Sequence, residues 1–121
     1  MAKIKVFISF DYQHDLDMKN NLIKQSQRQD SPFSVNDISL NGKMLNWQQK
    51  AREAIENCDV FVVMLRENTH QATGVLREVK MAKQLNKKRI QLREKGHNPK
   101  AIDSAGEVVA WRWNNLKKWL S

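Results

Sequence analysis

Glu78 is the residue of this 121-residue chain whose setting most invites chemistry. It lies in the pattern Val75-x-x-Glu78-Val79-x-x-Ala82, and Val75, Val79, Ala82 and Leu85 recur at helical spacing. Steps of about 100° per residue put Glu78 among those apolar positions rather than opposite them. A carboxylate there, near a helix start that follows a strand, is costly unless it is paired, caps a backbone group or reacts. Two readings stay open: a structural Glu bonded to a nearby backbone group, or a carboxylate kept for function.

Other chemistries leave no trace. The chain has four glycines and none in the turn after the first strand, so a phosphate-cradling Gly-rich loop is absent. The nucleophile-elbow pattern of serine hydrolases is missing too. His14, His70 and His97 share no metal-ligand spacing with carboxylates, so no metal is expected. A phospho-acceptor domain needs an Asp at the end of the third strand, where this chain has Leu65-Arg66. Cys58 is the single cysteine, which excludes an internal disulfide, and its place just before an apolar strand predicts a packed thiol.

Apolar residues make up 40% of the chain and charged residues 28%, which places it among soluble globular domains. At this length one domain, residues 1–121, is expected, with a real core. No apolar run approaches the ~20 residues of a membrane span, so no membrane partner is expected. The opening residues enter a strand pattern directly, which argues against a signal peptide and for the cytoplasm. The formal charge of +8 is lopsided: residues 1–79 balance ten basic against ten acidic residues, whereas 80–121 hold eleven basic and three acidic. Such a block can serve nucleic acid or simply cover helix C-termini. No aromatic residues interleave with the dense Lys83-to-Lys100 charges, which argues against nucleic acid.

The elements that must position Glu78 follow from periodicity. Residues 4–10 form a first strand, and a polar helix follows with Leu16, Met18, Leu22 and Ile23 as its inner face. Phe33-Ser34-Val35 is a short second strand, and residues 45–57 form a helix with Trp47, Ala51, Ala54 and Ile55 inward. Residues 59–65 read as a buried third strand, and 73–87 as the helix bearing Glu78. Residues 88–93 alternate charged and aliphatic side chains, as for a strand near a sheet edge. Residues 94–106 read as a surface loop, 107–111 as a fifth strand, and 112–120 as a helix with Trp113, Leu116, Trp119 and Leu120 on one side.

Strands alternating with helices predict an α/β three-layer sandwich around a five-stranded parallel sheet of order 2-1-3-4-5. Ligands of such sheets sit at the carboxyl ends of strands 1 and 3, where the order reverses. That topology gathers Phe10, Asp11 and Tyr12 after strand 1 and Asn36 and Asp37 after strand 2. After strand 3 it adds Arg66, Asn68, Thr69 and His70, leading to Glu78. One cleft lined by all of them is the expectation. Asp11 reads equally as a helix cap, Phe10 as a core aromatic and His70 as a loop hydrogen-bonder.

The run VFISFDY from Val6 to Tyr12, then Ser39-Leu40, Asn68 to His70, and Val75-x-x-Glu78-Val79-x-x-Ala82 resemble the TIR-like domains of the Thoeris anti-phage system, the ThsB-like family. The resemblance spans essentially the full length. It implies a flavodoxin-like fold and cleavage of the nicotinamide–ribose bond of NAD+, with cyclisation of the ADP-ribose into a signal molecule. It puts Glu78 on the catalytic glutamate and Phe10 and Asp11 on the loop lining the nucleotide pocket. NAD+ would be substrate, with no tightly bound cofactor. A homo-oligomer, an effector protein reading the product and a phage-derived trigger are the implied partners. By position, Phe10 or Tyr12 would stack on a ring and Arg66 or His70 would meet the pyrophosphate. A catalytically silent TIR-like interaction module and a flavodoxin-like nucleotide- or nucleic-acid-binding domain remain as alternatives.

Overall fold

β3 (Val60–Leu65) is the centre of the molecule, and all six of its side chains are buried. A strand buried on both faces has no use for alternation, which is why its sequence is a continuous apolar run. Each of those side chains contributes roughly 1.5–3 kcal/mol by leaving water. The computed structural model describes residues 3–11, 15–35, 47–94 and 96–121.

Around β3 stand β1 (Ile4–Ser9), β2 (Phe33–Val35), β4 (Lys88–Arg93) and β5 (Glu107–Ala110), in the order β2-β1-β3-β4-β5. Every pairing is parallel, as expected. Helices α1 (Leu16–Ser26) and α4 (Trp113–Trp119) cover one face, and α2 (Trp47–Glu56) and α3 (Thr73–Gln84) cover the other. Val6, Ile8, Val62, Met64, Ile90 and Leu92 pack under α1 and α4. Phe7, Phe61, Val63 and Leu65 pack under α2 and α3, with the Phe7 and Phe61 rings stacked at 5.6 Å. Adjacent residues of one strand thus serve opposite layers.

Three expectations are corrected. Leu16 does not join the inner face of α1 but stands 42% exposed. The buried stripe is Met18, Lys19, Leu22 and Ser26, and residues two apart on a helix do not share a face. α3 stops at Gln84, three residues early, because Asn86 turns into the left-handed region at φ 55°. Residues 94–106 are more than a surface loop, since Ile102 and Ala105 are buried against the α2/α3 layer.

Gln91 is what ties that loop down. It is 1% exposed, donates through Nε2 to the carbonyls of Ile102 (3.1 Å) and Gly106 (2.8 Å), and accepts from Ile102 N–H at 2.8 Å. Gly106 has φ +87°, and a Cβ there would collide with the Arg89 carbonyl, so only glycine serves. Cys58 is buried, and burial pushes its thiol up, as a packed thiol requires. Among the described residues no helix is long and apolar enough to cross a membrane.

Candidate functional site

Glu78 occupies the sixth position of α3, past the first turn whose N–H groups need capping. It is buried with Val75, Val79 and Ala82 and keeps 8% of its surface exposed. Its partner is a side chain and not the backbone. Ser9, the fully buried last residue of β1, donates from Oγ to Glu78 Oε1 at 2.7 Å. Strand alternation explains the meeting: Phe7 faces the α2/α3 layer, and Ser9, two residues on, faces the same way.

No ion pair to Glu78 exists among the described residues. Burial pushes its carboxyl up to about 7, and the Ser9 hydrogen bond acts against that rise. A carboxyl in this setting changes charge near neutral pH.

The α1 side of the same sheet edge is built differently. Arg66, one residue past β3, donates from Nε to Glu94 Oε1 at 2.7 Å and from NH2 to Asp17 Oδ2 at 3.0 Å. Its NH1 reaches Asp17 Oδ1 at 3.3 Å and Asp15 Oδ1 at 3.4 Å. Burial raises the Asp15 carboxyl against the pull of Arg66, while the Arg66 hydrogen bond lowers that of Asp17. A cleft of about 310 Å³ opens here, lined by Asp11, Asp15, Arg66, Asn68, Glu94 and His97 among others. Among the described residues of that lining the carboxylates of Asp11, Asp15, Glu67 and Glu94 outnumber the one arginine, whose donors go to Asp15, Glu94 and the neighbouring Asp17.

Asp11, Arg66 and Asn68 line the α1-side cleft, and Glu78 is not among the described residues of its lining. Phe10 is half-buried against the α1/α4 layer, with the Lys19 ammonium 5.7 Å from its ring centre. Thr69 is fully buried in a 3-10 turn (Thr69–Gln71), accepting from Arg66 N–H at 2.7 Å and reaching the Met64 carbonyl at 3.4 Å. His70 is half-buried in the same turn, and its Nδ1 has no hydrogen-bond partner among the described residues. Tyr12, Asn36 and Asp37 lie outside the described residues. Among the described residues no three His, Cys, Asp or Glu side chains converge on a metal position.

Residues 7–99 match the family model "Thoeris protein ThsB, TIR-like domain". The chain belongs to that TIR-like family. Among solved structures it is similar to the CMP N-glycosidase BcmB of Clostridium botulinum, at 17% identity and a TM-score of 0.57. That match covers 96% of this chain and 93% of the other, and at such identity it is a likeness of fold. No curated protein matches the sequence.

In this TIR-like domain the polar groups that sequence reasoning left out of the candidate site are Ser9, Asp15, Asp17 and Glu94, of which Asp15 reads from sequence as a helix-start residue and stands at the N-cap of α1 without a side-chain cap bond. Ser9 carried a readable signal, a hydroxyl at an inward strand position two residues from Phe7. The Arg66 network had none, because its three acids come from 28 to 51 residues away.

Proposed function

We propose that this TIR-like domain is an enzyme that breaks the nicotinamide–ribose bond of NAD+, with Glu78 as its catalytic carboxylate. The observation that carries the reading is a buried carboxyl that has no counter-charge among the described residues, at the carboxyl edge of the sheet, where such folds hold ligands. Membership of the Thoeris TIR-like family supports it, and so does a fold shared with a protein named as a nucleotide N-glycosidase.

The chemistry asks little of the protein. The glycosidic C–N bond breaks with its electron pair going to the ring nitrogen, so nicotinamide leaves neutral and the ribose becomes oxocarbenium-like. Ionised Glu78 stabilises that positive charge and accepts hydrogen bonds from ribose hydroxyls. Water then adds to the anomeric carbon and releases a proton, or a nitrogen of the same ADP-ribose reaches that carbon first and closes a ring. In this reading Phe10, Asp11, Asn68 and His70, on the loops after β1 and β3, contact the nucleotide. Arg66 is a frame residue in this reading, because carboxylates hold its guanidinium and their excess charge repels a pyrophosphate. A homo-oligomer, an effector that reads the product and a phage-derived trigger complete the proposed defence role.

The test is incubation of concentrated protein with NAD+, wild type beside Glu78→Gln, with products resolved by chromatography and mass. Nicotinamide released by the wild type alone supports the enzyme, and the mass of the second product separates hydrolysis from cyclisation. A wild type inert both alone and in lysate of phage-infected cells overturns the reading in favour of an interaction module.

A further inference from the structure

We propose that Ser9 is the positioning residue of this site: its hydroxyl pins Oε1 of Glu78, so that Oε2 is the oxygen presented to the ribose. The inference rests on the glycosidic reading of Glu78 and extends it to a residue that does not itself touch substrate.

Four observations carry it. Ser9 is fully buried, so its hydroxyl has no water to turn to, and 2.7 Å is a well-formed O–H···O hydrogen bond. The bond links β1 to α3 across 69 residues, which makes it a tertiary strut and not a local turn motif. No second hydrogen bond reaches the Glu78 carboxyl among the described residues, so within them Ser9 alone holds it, through Oε1. Glu78 keeps 8% of its surface exposed, so the side chain is not wholly sealed from a ligand. An unpinned glutamate on a helix swings through several rotamers, and a site that must meet an anomeric carbon tolerates little of that.

The hydroxyl also governs protonation, since a donor to the carboxylate favours the ionised form and opposes the burial that raises it. Removing it moves the titration of Glu78 upward. Because the ionised form is the active one, the pH at which activity rises moves upward as well.

The experiment compares wild type, Ser9→Ala and Ser9→Thr by carbon NMR of the Glu78 carboxyl across pH, and by pH profiles of kcat and kcat/KM for NAD+. Ser9→Ala is expected to shift the titration and the acid limb of the profile upward by about one pH unit. It should lower kcat at neutral pH roughly tenfold, with KM changed much less. Ser9→Thr, which keeps the hydroxyl on a strand-compatible side chain, should restore both. A Glu78 titration that Ser9→Ala leaves in place overturns the proposal, whatever happens to activity. An unchanged kcat beside a shifted titration overturns it too. A wild type that titrates in the expected Ser9-dependent way but never releases nicotinamide sinks the enzymatic reading instead, leaving Ser9 as the group that orients Glu78 for another ligand.

Discussion

The two ends of the sheet handle charge in opposite ways. At the amino edge, cations close off backbone carbonyls. Lys87 Nζ donates to the carbonyls of Glu56 (2.8 Å) and Cys58 (2.9 Å) where α2 ends, and Lys88 Nζ donates to the Trp119 carbonyl at 2.9 Å where α4 ends. Arg89 reaches the Lys87 and Ala82 carbonyls past the end of α3 at 3.0 and 3.4 Å. Helix C-termini leave carbonyls unsatisfied and carry partial negative charge, so this is where Lys and Arg stabilise a fold. The basic run at 87–89 is thereby accounted for without a polyanion.

At the carboxyl edge the pattern splits. The guanidinium of Arg66 donates to acids, whereas the ammonium of Lys87 donates to neutral carbonyls. Glu78 alone in this comparison is buried with only a neutral hydroxyl beside it. On the proposed reading, paired charge serves the architecture and the carboxyl without a counter-ion serves the ligand.

The comparison breaks or sharpens under a few measurements. The largest effect is expected for Glu78→Gln, which should lower NAD+ turnover by roughly two to three orders of magnitude. Equal turnover by the variant would return Glu78 to the structural side of the ledger.

The same substitution has a stability signature of known sign. The folded carboxyl is raised from its ordinary 4.5 to about 7, so the folded state holds the proton more tightly than the unfolded one. Its stabilising share is complete below about 4.5 and is lost as pH climbs through about 7, on the order of 3 kcal/mol in all. Urea unfolding of the wild type should show that decline, and Glu78→Gln should flatten it. Parallel pH curves for the two proteins would show that Glu78 is not the group responsible.

Arg66→Ala should act on the frame, costing about 1–2 kcal/mol, because three carboxylates are left facing one another. Its KM for NAD+ should barely move. A KM raised tenfold with an unchanged melting temperature would transfer Arg66 to the ligand side. The smallest effect is that of Lys87→Met, which forfeits the cap on α2 for about 1 kcal/mol, read as a Tm lowered by a few degrees. Oligonucleotide binding at low salt by the wild type, lost in Lys87→Met, would show that the amino-edge cations serve a polyanion after all.

Much of this molecule was legible beforehand. The apolar run at 60–65 and the helical period of Val75, Val79 and Ala82 announced β3 and α3, because burial acts on every residue of an element and leaves a periodic trace. The strand order followed from the alternation of elements, and Glu78 stood out as a charge breaking an apolar stripe. The errors fell where a single contact outweighs a period. Leu16 looks apolar and faces out, and Gln91 looks polar and is sealed in by three hydrogen bonds.

By itself the sequence determined the layers, the sheet order and the burial of Glu78, since these depend on local pattern and on the handedness of βαβ connections. Only the tertiary structure decided the partners. Ser9 meets Glu78 across 69 residues, and Arg66 gathers Asp15, Asp17 and Glu94 from two distant segments. The physical reason is that a hydrogen bond is settled by a few tenths of an ångström between two side chains. Nothing in the spacing along one chain records which distant atom will arrive there.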